Sequence, residues 1–264
     1  MKVYKVLNVD LTSPYQGFEF ELGKTYVCDD FDTSDEECSN GFYAVGFNGL
    51  VYAINKDGKK HSVFEVEVGG CSKEFNQFKR RYEEITILRE LSEDEIKAGL
   101  LACEEKEGYK VYDACFPVHP FEVEPMPLDD AKKLLAEWKN VMTSVRVSVW
   151  DSVEHSVWDS VERSVWDSVG DSVLDSVEHS VRDSVWHSVR DSVWDSVWDS
   201  VWDSVWAYIS SLFPNIEQWK YVINEAGVNL FQSGIDLWKG GYMPSFDGKI
   251  WRLHTKDGIV WEDV

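Results

Sequence analysis

Histidine and cysteine are too few and too scattered in this chain to mark a metal centre. There are six histidines and five cysteines, without a Cys-x-x-Cys pair or a His-Glu-x-x-His run. The cysteines, Cys28, Cys38, Cys71, Cys103 and Cys115, are odd in number, which argues against a complete disulfide framework and for small core thiols in a reducing cytoplasm. Gly-x-Ser-x-Gly and P-loop patterns are also missing. The residues therefore imply no metal, no cofactor and no catalytic group, and leave enzymatic activity uncertain. The opening MKVYKVLNVD lacks the apolar stretch of a signal peptide, and no window is apolar enough to span a bilayer. Positive charge is scarce as well. Twenty-six Lys and Arg face 48 Asp and Glu, a net charge of -22. Such a chain repels nucleic acid and anionic membranes, so direct binding to either is not expected. The acidity can serve solubility, or it can imitate nucleic acid toward proteins that normally hold DNA.

Residues 1–92 predict short strands separated by turns, a small α+β domain. The runs Val3–Val9, Phe18–Glu21, Tyr26–Cys28, Leu50–Ile54 and Ser62–Val68 are apolar or alternating. The pair Asp57-Gly58 predicts a hairpin turn, because glycine tolerates positive φ. The acidic stretch Asp29–Glu37 lacks calcium-loop spacing and reads as a solvated loop.

Several segments carry a resemblance. They are MKVYKVLNVD, Gly17–Tyr26, Cys38 with Gly41-Phe42-Tyr43-Ala44, and Phe64–Gly70. Together they resemble an uncharacterised N-terminal domain family of phages and gut bacteria, often fused to short tandem repeats of pentapeptide type. The resemblance implies a phage or prophage setting inside a bacterial cell. It also implies β-structured repeats after the domain. Members usually have His and Cys around the Gly-Phe motif, where this chain has Tyr43 and Val45. A weaker similarity, to ADP-ribosyltransferases that bind NAD in a split sheet, would use Lys5 with Glu65 or Glu67.

Residues 93–143 predict two helices and a proline-rich linker. Ser92 and Glu95 have capping-box spacing before the first helix, and Gly108 stops it. Leu134, Leu135, Trp138 and Val141 form one face of the second.

Residues 144–206 are the dominant signal. Ser-Val recurs every fourth residue from Ser144 to Val205, sixteen copies without a slip. An α-helix turns about 100° per residue, so this stripe drifts about 40° per copy. Val, Ser, Asp and Trp are also mediocre helix formers. Stacked β-coils would instead ladder identical residues, so the expectation is a β-solenoid of tetrapeptides, with a long α-helix as the alternative. Ser-Val would face inward and the variable Trp and Asp positions outward. Residues 207–264 predict a small α+β cap with a hairpin around Lys256-Asp257-Gly258.

The candidate binding residues are Trp186, Trp194, Asp195, Trp198, Asp199, Trp202, Asp203 and Trp206, an acidic indole-rich surface. Three functions follow as expectations. The first is an accessory protein binding a host protein, such as a DNA-binding one deceived by the charge. The second is an NAD-binding enzyme in residues 1–92. The third is a repeat protein that assembles with its own copies.

Overall fold

The computed structural model describes residues 2–14, 16–36, 39–54, 61–74, 79–149, 177–178, 198–216, 219 and 225–263. They form two compact units, Met1–Glu107 and Gly108–Val264.

The first unit is mostly sheet. Its strands are β1 (Val3–Asn8), β2 (Thr25–Val27), β3 (Phe42–Val45), β4 (His61–Glu74) and β5 (Lys79–Glu90). All pairings are antiparallel: β5 with β3, β3 with β1, β1 with β4, and β4 back to β5. That circuit is a closed four-stranded barrel, and β2 is an extra strand on β5. Closure follows from the length of β4 and β5, 14 and 12 residues. Register shifts at Glu65/Val66 and Gly69/Ser72 bend the pair, so that β5 can also reach β3. Gly70 takes φ +68 at the second irregularity, where a side chain would collide with Glu83.

Val3, Leu7, Phe20, Ala44, Phe64, Val66, Tyr82, Ile85 and Ile87 fill the barrel. Leu50–Ile54, expected as a strand, lies mostly in a 3-10 helix over Phe47–Tyr52. Its Leu50 and Val51 are fully buried. Phe47 lies tilted against Tyr4 with ring centres 4.1 Å apart, and helix α1 (Glu93–Glu107) passes close enough that Gly99 has no room for a Cβ against Phe47. Ser92 and Glu95 form the capping box that their spacing anticipates, with bonds of 2.9 and 3.3 Å. The expected turn at Asp57-Gly58 lies outside the described residues.

The second unit contains α2 (Val111–Cys115), a 3-10 turn at Pro120–Glu122, α3 (Leu128–Val149), α4 (Trp198–Ser210) and α5 (Gln232–Lys239). A three-stranded antiparallel sheet follows: β6 (Met243–Phe246), β7 (Trp251–Thr255) and β8 (Gly258–Asp263). The β7–β8 hairpin turns at Lys256-Asp257 as its sequence suggests, with Gly258 at φ +97. α3 buries Ala131, Leu135, Trp138 and Met142.

The expected β-solenoid is overturned. Wherever the repeat is described it is α-helical: α3 continues through Val149, Val177 and Glu178 are helical, and α4 begins at Trp198. A helix pairs its backbone locally and needs no neighbouring coil. The drift of the stripe also costs little where a helix is covered on most sides. In α4, Val201, Asp203, Ser204, Val205, Trp206 and Ala207 are all buried.

Candidate functional site

The repeat enters and leaves the same folded unit. Before the array, residues 108–143 supply α2, the proline-rich strap and most of α3. After it, residues 207–263 supply the end of α4, α5 and the sheet. The two flanks are knitted together by specific bonds. Lys110 N–H donates to the Leu212 carbonyl at 2.8 Å, and Met126 N–H to that of Gly240 at 2.9 Å. The Tyr242 hydroxyl donates to the Met126 carbonyl at 2.9 Å. Lys139 of α3 pairs with Asp263 of β8, and the Lys132 ammonium stands 5.8 Å from the centre of the Trp261 ring.

Val118, between two of the strap prolines, is held from both sides. Its N–H donates to the Tyr208 hydroxyl at 2.9 Å, and its carbonyl accepts from the Trp238 indole at 2.6 Å. The two rings stack at 5.2 Å. Burial pushes the Tyr208 phenol up to about 12, so it stays protonated at neutral pH. Ser210 and Ser211 return their hydroxyls to the Ala207 and Tyr208 carbonyls, which closes α4 ahead of Pro214.

The structure divides the sequence-derived candidates. Trp206 and Asp203 are 2% and 5% exposed and belong to the interior. The outward orientation expected of Trp and Asp positions therefore does not hold at the end of the array. Trp202 is partly exposed. Trp198 and Asp199 start α4. Trp186, Trp194 and Asp195 lie outside the described residues.

Lys5 and Glu65, the pair that an NAD site would need, lie on opposite faces of β1 and β4. Lys5 is opposite Phe64 on the inner face, whereas Glu65 is opposite Tyr4 on the outer one. Glu65 is paired with Lys2 at 3.0 Å and Arg89 at 2.9 Å. These bonds hold its carboxyl below the usual range. Glu67 is exposed.

Sequence reasoning missed two features of the first unit. Arg81 is fully buried, and its guanidinium donates to the Ser34 and Glu36 carbonyls at 2.8 and 3.1 Å. This pins the acidic loop against β5. Gly41 fits this arrangement, since it takes φ +143 and a Cβ there would strike the Arg81 stem. The second feature is an aromatic cluster of Phe18, Phe20, Tyr26 and Phe42, with ring centres 4.8 to 6.4 Å apart.

Among the described residues no group of three or more His, Cys, Asp or Glu could hold a metal ion, and no helix is long and apolar enough to cross a membrane. Neither the curated proteins nor the solved structures contain a match to this chain. Residues 1–99, which span the barrel and the first turns of α1, match the model of a domain of unknown function, DUF7666.

Proposed function

We propose that the protein is a binding protein that presents its Ser-Val-Trp-Asp array to a basic surface on a protein partner. One observation carries the reading: both flanks of the array fold into one unit. The bonds from Lys110 to Leu212 and between Lys139 and Asp263 span the array, so one fold holds both of its ends, with the last copies packed into it. Indoles bury a large area at small entropic cost, and carboxylates beside them select a cationic partner. The net charge of -22 steers the same class of partner, which includes proteins that hold DNA. Burial of Asp203 and Trp206 moves the contact surface upstream, to Trp186, Trp194, Asp195, Trp198 and Asp199. The resemblance of residues 1–92 supports a phage or prophage accessory role against a host protein.

The test compares the full chain with a Trp186→Ala, Trp194→Ala, Trp198→Ala variant in pull-downs from bacterial lysate, after matching their helicity and thermal unfolding. A basic protein that elutes with salt from wild type and is absent from the variant supports the proposal. Identical captures from both chains, or none from either, overturn it.

A further inference from the structure

The barrel interior contains a cation that is held by a carbonyl and a ring. Lys5 shares the inner face of β1 with Val3 and Leu7, opposite Phe64 of β4. Its ammonium donates to the Tyr43 carbonyl at 3.0 Å and stands 5.1 Å from the centre of the Phe20 ring. Among the described residues no carboxylate pairs with it. An ammonium has three donors, and this one has a single acceptor of full strength. Buried cations are ordinarily paired, because removal from water without compensation is costly. Desolvation accordingly pushes the Lys5 amine down to about 8. The residue nevertheless keeps part of its surface exposed.

The groups around it share that incomplete character. Phe20 contacts Phe18 at 4.8 Å, Tyr26 at 5.3 Å and Phe42 at 6.2 Å. Phe18 is 42% exposed, unusual for a ring so close to a core. The Tyr26 hydroxyl is shielded from solvent and has no well-formed hydrogen bond among the described residues, with the Lys24 ammonium as its polar neighbour. An ammonium on a single carbonyl, a phenol without a well-formed hydrogen bond and an exposed aromatic ring thus occupy one cluster around Phe20.

We infer that this cluster is a binding site for a small monocarboxylate with an aromatic body. The Lys5 ammonium takes the carboxylate, the Phe18, Phe20 and Phe42 rings take the body, and the Tyr26 hydroxyl supplies a second polar contact. Lys24, 5.2 Å from the centre of the Tyr26 ring, is already paired with Glu21, which leaves Lys5 to match one negative charge. Phosphate recognition draws on arginine forks or several backbone N–H groups, and the cluster has neither. The site belongs to the first unit and does not depend on the reading of the repeat.

Benzoate is the probe, with benzyl alcohol as its neutral counterpart, titrated into the full chain by calorimetry and ligand-observed NMR. Wild type is expected to bind benzoate saturably at one site and to ignore benzyl alcohol. Lys5→Met keeps the stem and removes the charge; it should weaken benzoate by more than about tenfold. Phe18→Ala, at an exposed ring, should weaken it by several-fold. A pH series on wild type guards against a Lys5→Met chain that misfolds. Affinity must fall by more than about tenfold from about pH 7 to about pH 10 as the amine loses its proton. The inference is overturned if wild type shows no saturable benzoate binding, if Lys5→Met binds undiminished, or if affinity ignores pH.

Discussion

The two units handle buried polarity in opposite ways. The barrel admits whole cations: Arg81 is held by main-chain carbonyls, and Lys5 by one carbonyl and a ring. The second unit mostly buries neutral polar groups, among them Ser204, Ser245, Thr255 and His254. His254 bonds the Ser245 hydroxyl at 2.7 Å, and its other ring nitrogen has no partner among the described residues. The difference follows from construction. A barrel pairs its strands in a circuit and leaves carbonyls at its ends and loops free to accept from a cation. The second unit is assembled from chain on both sides of an insertion, and indoles and phenols do the joining. Trp138, Trp219 and Trp238 are among its largest fully buried side chains.

The contrast is broken most sharply by Trp206→Ala. Removing a fully packed indole from a core typically costs about 3–5 kcal/mol. Urea unfolding followed by domain-resolved hydrogen exchange should show that loss in the second unit, with the barrel unmoved. Equal protection in wild type and variant would return Trp206 to the surface.

Acidity should separate the units next. Burial pushes the His254 imidazole down to about 4 from its usual 6.5, with the nearby Arg252 cation adding to the shift and Glu262 opposing it. The unfolded chain therefore takes up the proton first. The second unit keeps its full stability above pH 6.5 and loses it progressively as pH falls to about 4. The loss is about 3 kcal/mol, and His254→Gln should flatten the profile. Lys5 acts at the other end. Its amine is lowered from 10.5 to about 8, so the barrel gains stability as pH rises through that interval. Thermal melts across both ranges, read unit by unit, check the two signs.

The smallest effect sharpens the comparison from the barrel side. Ser92→Ala removes the hydroxyl that accepts from Glu95 N–H and should cost about 1 kcal/mol. Exchange should then rise in the first turn of α1 alone.

Local chemistry was legible and long-range closure was not. The capping box and the β7–β8 hairpin arise from residues a few positions apart, where spacing and turn chemistry decide the outcome; of the face expected on α3, Leu135 and Trp138 are buried, joined by Ala131 and Met142 rather than Leu134 and Val141. Barrel closure depends on β4 and β5 bending enough for β5 to meet β3, and alternation along a strand contains no such information. Leu50–Ile54 is an apolar run too short to distinguish a strand from a buried helical turn. The repeat misled for another reason. A drifting stripe is costly for a helix with one buried face, whereas α4 is covered on most sides. The Trp position also looked solvent-facing because it varies along the array, yet its last member is a core residue. The aromatic cluster joins Phe18, Phe20, Tyr26 and Phe42 from segments that only the fold brings together.

A tandem sequence whose period is a whole number of codons gains and loses copies through slippage during replication, and each slip preserves the reading frame. In most proteins such an event would shift one half of a domain against the other. Here the bonds that join the flanks, from Lys110 to Leu212 and from Tyr242 to Met126, do not pass through the array. The joining bonds are therefore independent of copy number, whereas the last copies, with Val201, Asp203, Ser204, Val205 and Trp206 buried, must keep their place at the end of the array.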